Sequence, residues 1–103
     1  MGDERVTIGF PPPHPGEYLR EDILPALNMT VTVLAKHLHV TRQSLSELIN
    51  GRRDVSVQMA IRLGRAFENG ARFWMALQMQ YDLWHEEQKF SEKVTPINSP
   101  RVA

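Results

Sequence analysis

The chain has 103 residues, 42% of them hydrophobic, with no Cys and a formal net charge of zero. That suits one small globular domain whose core holds without staples, and it excludes a disulfide framework, a thiol nucleophile and a thiolate metal site. No apolar run approaches the roughly 18–20 residues that cross a bilayer, and Met1–Thr7 carries no signal-peptide core, so a soluble cytoplasmic protein with no membrane partner is expected.

Residues 1–13 end in Pro11-Pro12-Pro13 and read as a flexible polyproline arm. Pro15 fits the first turn of a helix, with Leu19, Ile23 and Leu27 on one face. Pro25 should end or kink that helix near Leu24. Thr30 caps a second helix over 31–38, and Val31, Leu34, Ala35 and Leu38 form its buried stripe. His39-Val40-Thr41 is a turn, with His39 expected at positive φ. Thr41 caps a third helix over 42–50 by accepting from the N–H of Gln43 or Ser44. Leu45, Leu48 and Ile49 face inward there, and Gly51 is the stop.

Ser56 caps a fourth helix over 57–68, with Met59, Ala60, Leu63, Ala66 and Phe67 inside. Gly64 costs that helix about 1 kcal/mol against Ala, which points to close packing at that place. Asn69-Gly70 breaks the chain, and a fifth helix follows over 71–88. Residues 89–103, with Pro96 and Pro100, read as a flexible tail. The expected architecture is therefore all-α: five helices in a single domain over 14–88.

Amphipathic stripes alone establish only a helical core. The second and third helices say more. A short helix, a three-residue turn and a capped second helix with a polar outer face make a helix-turn-helix, whose second helix suits a DNA major groove. Gln43, Ser46, Glu47 and Asn50 point outward at about 100° per residue. Gln43 is suited to adenine and Glu47 to cytosine, though each is equally compatible with a solvated surface. Arg42 can reach a guanine or hold a phosphate. Arg52 and Arg53 follow in the loop as phosphate anchors, with Thr41 and Asn50 as further phosphate contacts at the helix ends.

Charge distribution supports this. Residues 30–65 hold Lys36, Arg42, Arg52, Arg53, Arg62 and Arg65 against Glu47 and Asp54, while the flanking segments are acidic. With a Debye length of about 8 Å, a locally basic face suffices for DNA in a neutral protein. His14, His37, His39 and His85 lack metal-ligand spacing, and Ser44 and Ser46 lack a base. No metal, no cofactor and no enzymatic activity is expected. Trp74, Leu77, Tyr81, Trp84 and Gln88 form a stripe on the fifth helix with more aromatic surface than a small domain easily buries. Trp74 is assigned to the core, and Leu77, Tyr81 and Trp84 to a homodimer interface that would double the DNA readout.

The sequence resembles the Xre-type, lambda-repressor-like helix-turn-helix family, and within it the HigA antitoxins. The resemblance covers about 14–84 and is carried by His14-Pro15-Gly16-Glu17 with Leu19-Arg20-Glu21, and by Leu34-Ala35. Asn50-Gly51-Arg52-Arg53, Ala60 to Leu63, and Phe73-Trp74 through Leu77-Gln78 to Tyr81-Asp82-Leu83 complete it. It implies a bacterial, nucleoid-associated dimer that binds an inverted-repeat operator in double-stranded DNA and represses its own operon. It also implies a HigB-type toxin partner, a small mRNA endonuclease. Transferred by position, the base-reading residues are Arg42, Gln43, Ser44, Ser46 and Glu47. His39 departs from the family, where Gly is usual. A stand-alone regulator without a toxin is the alternative.

Overall fold

The computed structural model describes residues 10–98. Five helices, and no strand, occur among the described residues. The first, α1, opens as Pro15–Tyr18, widens into a π-helical segment at Leu19–Ile23 and closes as Leu24–Leu27. It is followed by α2 (Val31–Leu38), α3 (Arg42–Ile49), α4 (Val57–Phe67) and α5 (Ala71–Lys89).

Pro25 does not end α1. The N–H of Leu24 donates to the carbonyl of Leu19, a five-residue step, so the helix widens just ahead of the ring that would otherwise strike it. The wider turn also changes the buried face. Leu19 and Leu24 now share it, at 0% and 8% exposure, whereas Leu27 is 50% exposed. The expected Leu19–Ile23–Leu27 stripe is thus corrected to Leu19 and Leu24, with Ile23 half-buried beside them.

Three helix ends use one device. Asn28, His39 and Gly51 take φ of 51°, 60° and 75°. In each case the left-handed residue's N–H and the next N–H reach back to carbonyls inside the helix. The pairs are Asn28 to Pro25 and Met29 to Leu24, His39 to Lys36 and Val40 to Ala35, Gly51 to Leu48 and Arg52 to Glu47. This is the Schellman pattern, which satisfies terminal carbonyls and turns the chain sharply. The expected positive φ of His39 is borne out. Glu68, φ 58°, ends α4 in the same conformation but was not anticipated from Asn69-Gly70.

Leu19, Leu34, Leu45, Leu48, Leu63 and Trp74 are fully buried at the centre. Thr30, Thr41 and Ser56 each accept a hydrogen bond from the N–H three residues on, at 3.2, 3.0 and 3.1 Å. Gly64 is buried where the chain enters α5, and a Cβ there would overlap the backbone of Gly70 and Ala71. No helix among the described residues is long and apolar enough to cross a membrane.

Candidate nucleic-acid interface

The helix-turn-helix is α2, the turn His39–Thr41 and α3. Thr41 Oγ1 accepts from Ser44 N–H, one of the two expected donors, and this fixes the first turn of α3. Leu45, Leu48 and Ile49 anchor one side of α3. The opposite side carries Gln43 and Asn50, both exposed, with Ser46 and Glu47 half-exposed. Ser44 lies to one flank and Arg42 to the other at helical spacing.

Several of these side chains hold one another. Glu47 Oε1 accepts from Arg53 at 2.6 and 3.0 Å, and Glu47 Oε2 accepts from Gln43 at 3.3 Å. Those bonds, Arg53 first and Gln43 second, hold the Glu47 carboxyl below the usual range, so it is an anion at neutral pH. Arg53 is therefore tied back across the recognition helix. Arg52 is exposed and has no carboxylate partner among the described residues. Arg42 Nε donates to Thr32 Oγ1 at 3.1 Å, lashing the start of α3 to the first turn of α2. Asn50 Nδ2 donates to the Ser46 carbonyl at 2.8 Å and closes the end of α3.

Sequence reasoning missed how α3 is held from behind. Gly16 packs against its C-terminal backbone, where a Cβ would overlap the Leu48 carbonyl oxygen. Arg20 donates to the Ile49 carbonyl at 3.1 Å, compensating a helix end that lacks donors. His14 Nδ1 accepts from Gly16 N–H at 2.9 Å and caps α1. Its ring is buried and meets Tyr81 edge-on at 4.9 Å. Arg62, counted among the basic residues, donates to the Leu38 carbonyl at 2.9 Å and so completes α2. The short motif His14-Pro15-Gly16 was visible and its cap is local, but the close contact of Gly16 with Leu48 and of His14 with Tyr81 depends on residues 30 or more positions away.

On α5, Trp74 is fully buried, as expected, and its Nε1–H donates to Asn69 Oδ1 at 2.9 Å. Leu77, Tyr81 and Trp84 are half-buried within the chain itself. Leu77 packs on the core, Tyr81 lies against His14 and His85, and Trp84 lies beside His85 and shares a groove with Pro12. Gln78, named from the sequence only within the family resemblance, is 4% exposed and accepts from Val55 N–H at 2.7 Å. That bond ties the loop after the recognition helix to α5.

Comparison with known proteins agrees with this arrangement. The helix-turn-helix family model matches residues 19–73. Virulence-associated protein A' of Dichelobacter nodosus is 44% identical over 90 residues, covering 86% of this chain and 77% of that protein. Antitoxin HigA-1 of Vibrio cholerae is 33% identical over 78 residues, covering 76% and 73%. The Pseudomonas aeruginosa antitoxin HigA, solved with the higBA promoter, superposes with a TM-score of 0.77 at 34% identity, over 84% of this chain and 98% of that one. The chain belongs to the helix-turn-helix family of DNA-binding proteins. Within that class it is a member of the HigA antitoxin family.

Proposed function

We propose that the chain is an operator-binding antitoxin that represses its own operon as a dimer and neutralises a HigB-type mRNA endonuclease. The observation that carries this reading is the capped, rigidly backed α3. It presents Gln43, Ser46, Glu47 and Asn50 outward beside the exposed cation of Arg52, which has no carboxylate partner among the described residues, in a family whose P. aeruginosa member was solved on promoter DNA. In this reading Gln43 and Glu47 face base edges, with Arg42, Ser44 and Ser46 at the margins. Arg52, Arg53, Thr41 and Asn50 contact phosphate. Glu47 holds Gln43 and Arg53 in one orientation before DNA arrives.

The test is a gel shift and footprint on the promoter fragment upstream of the gene. Protection of an inverted repeat with half-site centres about 10 bp, or a multiple of it, apart is expected. Arg52→Ala should weaken binding to operator and unrelated DNA alike and lower the salt slope by about one. Gln43→Ala should cost about 1–3 kcal/mol and relax one base position per half-site. An unchanged operator preference in the Gln43 variant would remove α3 from the reading role. Co-expression with the adjacent open reading frame tests neutralisation: growth arrest by that frame alone, relieved by this chain, is expected. If neither adjacent frame arrests growth, the chain is a stand-alone regulator.

A further inference from the structure

The outer side of α5 carries an apolar ridge that nothing among the described residues covers. Met79 and Leu83 are 59% and 52% exposed, and Met75 is half-buried next to them. At about 100° per residue, Arg72, Met75, Met79, Leu83 and Glu86 fall within about 80° of arc. This stripe is separate from the Trp74, Gln78, Tyr81 and His85 side that meets the core. A shallow groove of about 390 Å³ runs along it, lined by Met75, Gln78, Met79, Asp82, Leu83 and Glu86.

The order of residues on this ridge is its own complement. Met75 and Leu83 each lie four residues from Met79, on opposite sides, and Arg72 and Glu86 each lie seven. Two copies of α5 packed antiparallel about a two-fold axis through Met79 bring Met79 onto itself. They set Met75 against Leu83 of the second copy, and Arg72 against Glu86 of the second copy, twice. An isologous dimer requires this self-complementary arrangement. Arg72 has no carboxylate partner within the chain among the described residues. Among the described residues Glu86 pairs with the exposed Lys89 alone, at 3.2 Å with both side chains about 70% exposed, a pair weak enough to rearrange. A parallel pairing would oppose like charges, Arg72 to Arg72 and Glu86 to Glu86.

We infer that the second copy docks on the Met75–Met79–Leu83 ridge, rather than on the Leu77–Tyr81–Trp84 side, with Arg72 and Glu86 setting the antiparallel register. The inference refines the dimer in the functional reading. It is tested without DNA or toxin, so a failed operator assay and a failed interface have separate signatures.

The chain has no Cys, so single cysteines report contacts cleanly. Met79→Cys, mildly oxidised, should run as a disulfide dimer on non-reducing gels, because facing positions of packed helices come within disulfide range. Trp84→Cys should stay monomeric on the same gel. In light scattering, Arg72→Glu and Glu86→Arg should each raise the dimer dissociation constant at least about tenfold, and the double exchange should restore it. Arg72, Met79 and Glu86 are exposed on α5 and Trp84 is half-buried on its flank, and circular dichroism checks that each variant folds. Cross-linking of Trp84→Cys but not Met79→Cys, a double exchange that fails to rescue, or a monomeric wild type would each overturn the inference. In the last case the ridge serves a different protein.

Discussion

The helix-turn-helix segment and α5 are both amphipathic, yet different things decide their structure. In residues 30–51 nearly every feature is settled within a few positions: Thr30 and Thr41 cap, His39 and Gly51 turn, and a short apolar stripe points inward. In α5 the local pattern allows several faces, and distant residues choose among them. Trp74 is taken by the core, Gln78 by the Val55 N–H, and Tyr81 by His14. Local capping shapes the helix-turn-helix, and Gly16, Arg20 and Arg62 brace it from outside the segment. The long helix is a strut whose inner face holds that segment and whose outer ridge, Met79 and Leu83, is exposed.

The largest break in that division comes from Trp74→Ala. Removing the biggest fully buried side chain should cost about 3–5 kcal/mol and lower the melting temperature sharply. Trp84→Ala, half-exposed, should cost far less. If the two variants melt alike, the inner face of α5 is misassigned.

Gln78→Leu separates packing from polar holding. It keeps an apolar body in place but leaves the Val55 N–H without its 2.7 Å acceptor, at about 1–3 kcal/mol. Chemical denaturation measures it. Amide exchange at Val55 should also rise more than at Leu63, whose surroundings do not change. Uniform acceleration across both amides would show that the bond does not specifically hold the loop behind Arg52 and Arg53.

Thr41→Ala probes the local side of the comparison. Losing the 3.0 Å bond from Ser44 N–H should cost about 1 kcal/mol. The effect should be confined to α3, seen as faster exchange at Ser44 and weaker operator binding, with the α5 amides unmoved.

These contrasts explain what was legible in the sequence. Helix bounds, caps and the outward set on α3 follow from short-range rules, so they could be read directly. The π segment ahead of Pro25 could not, because a ring clash can be resolved by a break, a kink or a wider turn, and the burial of Leu24 against Leu19 selects among them. The partners of Glu47 were hidden for a similar reason. Gln43 is one turn away and foreseeable, but Arg53 reaches it only because the Schellman turn at Gly51 folds the loop back over α3. Gln78 was named only within the family resemblance, with no role, and the position of Val55 makes it structural.

The smallest effect falls at His14, where the two regions meet. The ring is buried between the N-terminus of α1 and Tyr81, and its Nδ1 accepts from Gly16 N–H. That bond requires the neutral ring with its proton on Nε2. Burial lowers the His14 pKa below the ordinary histidine value, outweighing the upward pull of Asp54, Asp82, the Arg53 backbone and Glu17. The unfolded chain, with an ordinary value of about 6.5, therefore binds the proton more readily than the folded one. The contribution of neutral His14 is fully present above about pH 6.5 and is lost as pH falls toward the lower folded value. Protonation would turn the capping acceptor into a donor facing a donor and loosen Gly16 from the back of α3. Melting curves from pH 7.5 to 5 should show a downward slope that His14→Asn, a neutral cap at every pH in that range, removes. A slope unchanged in that variant would assign the acid sensitivity to other groups.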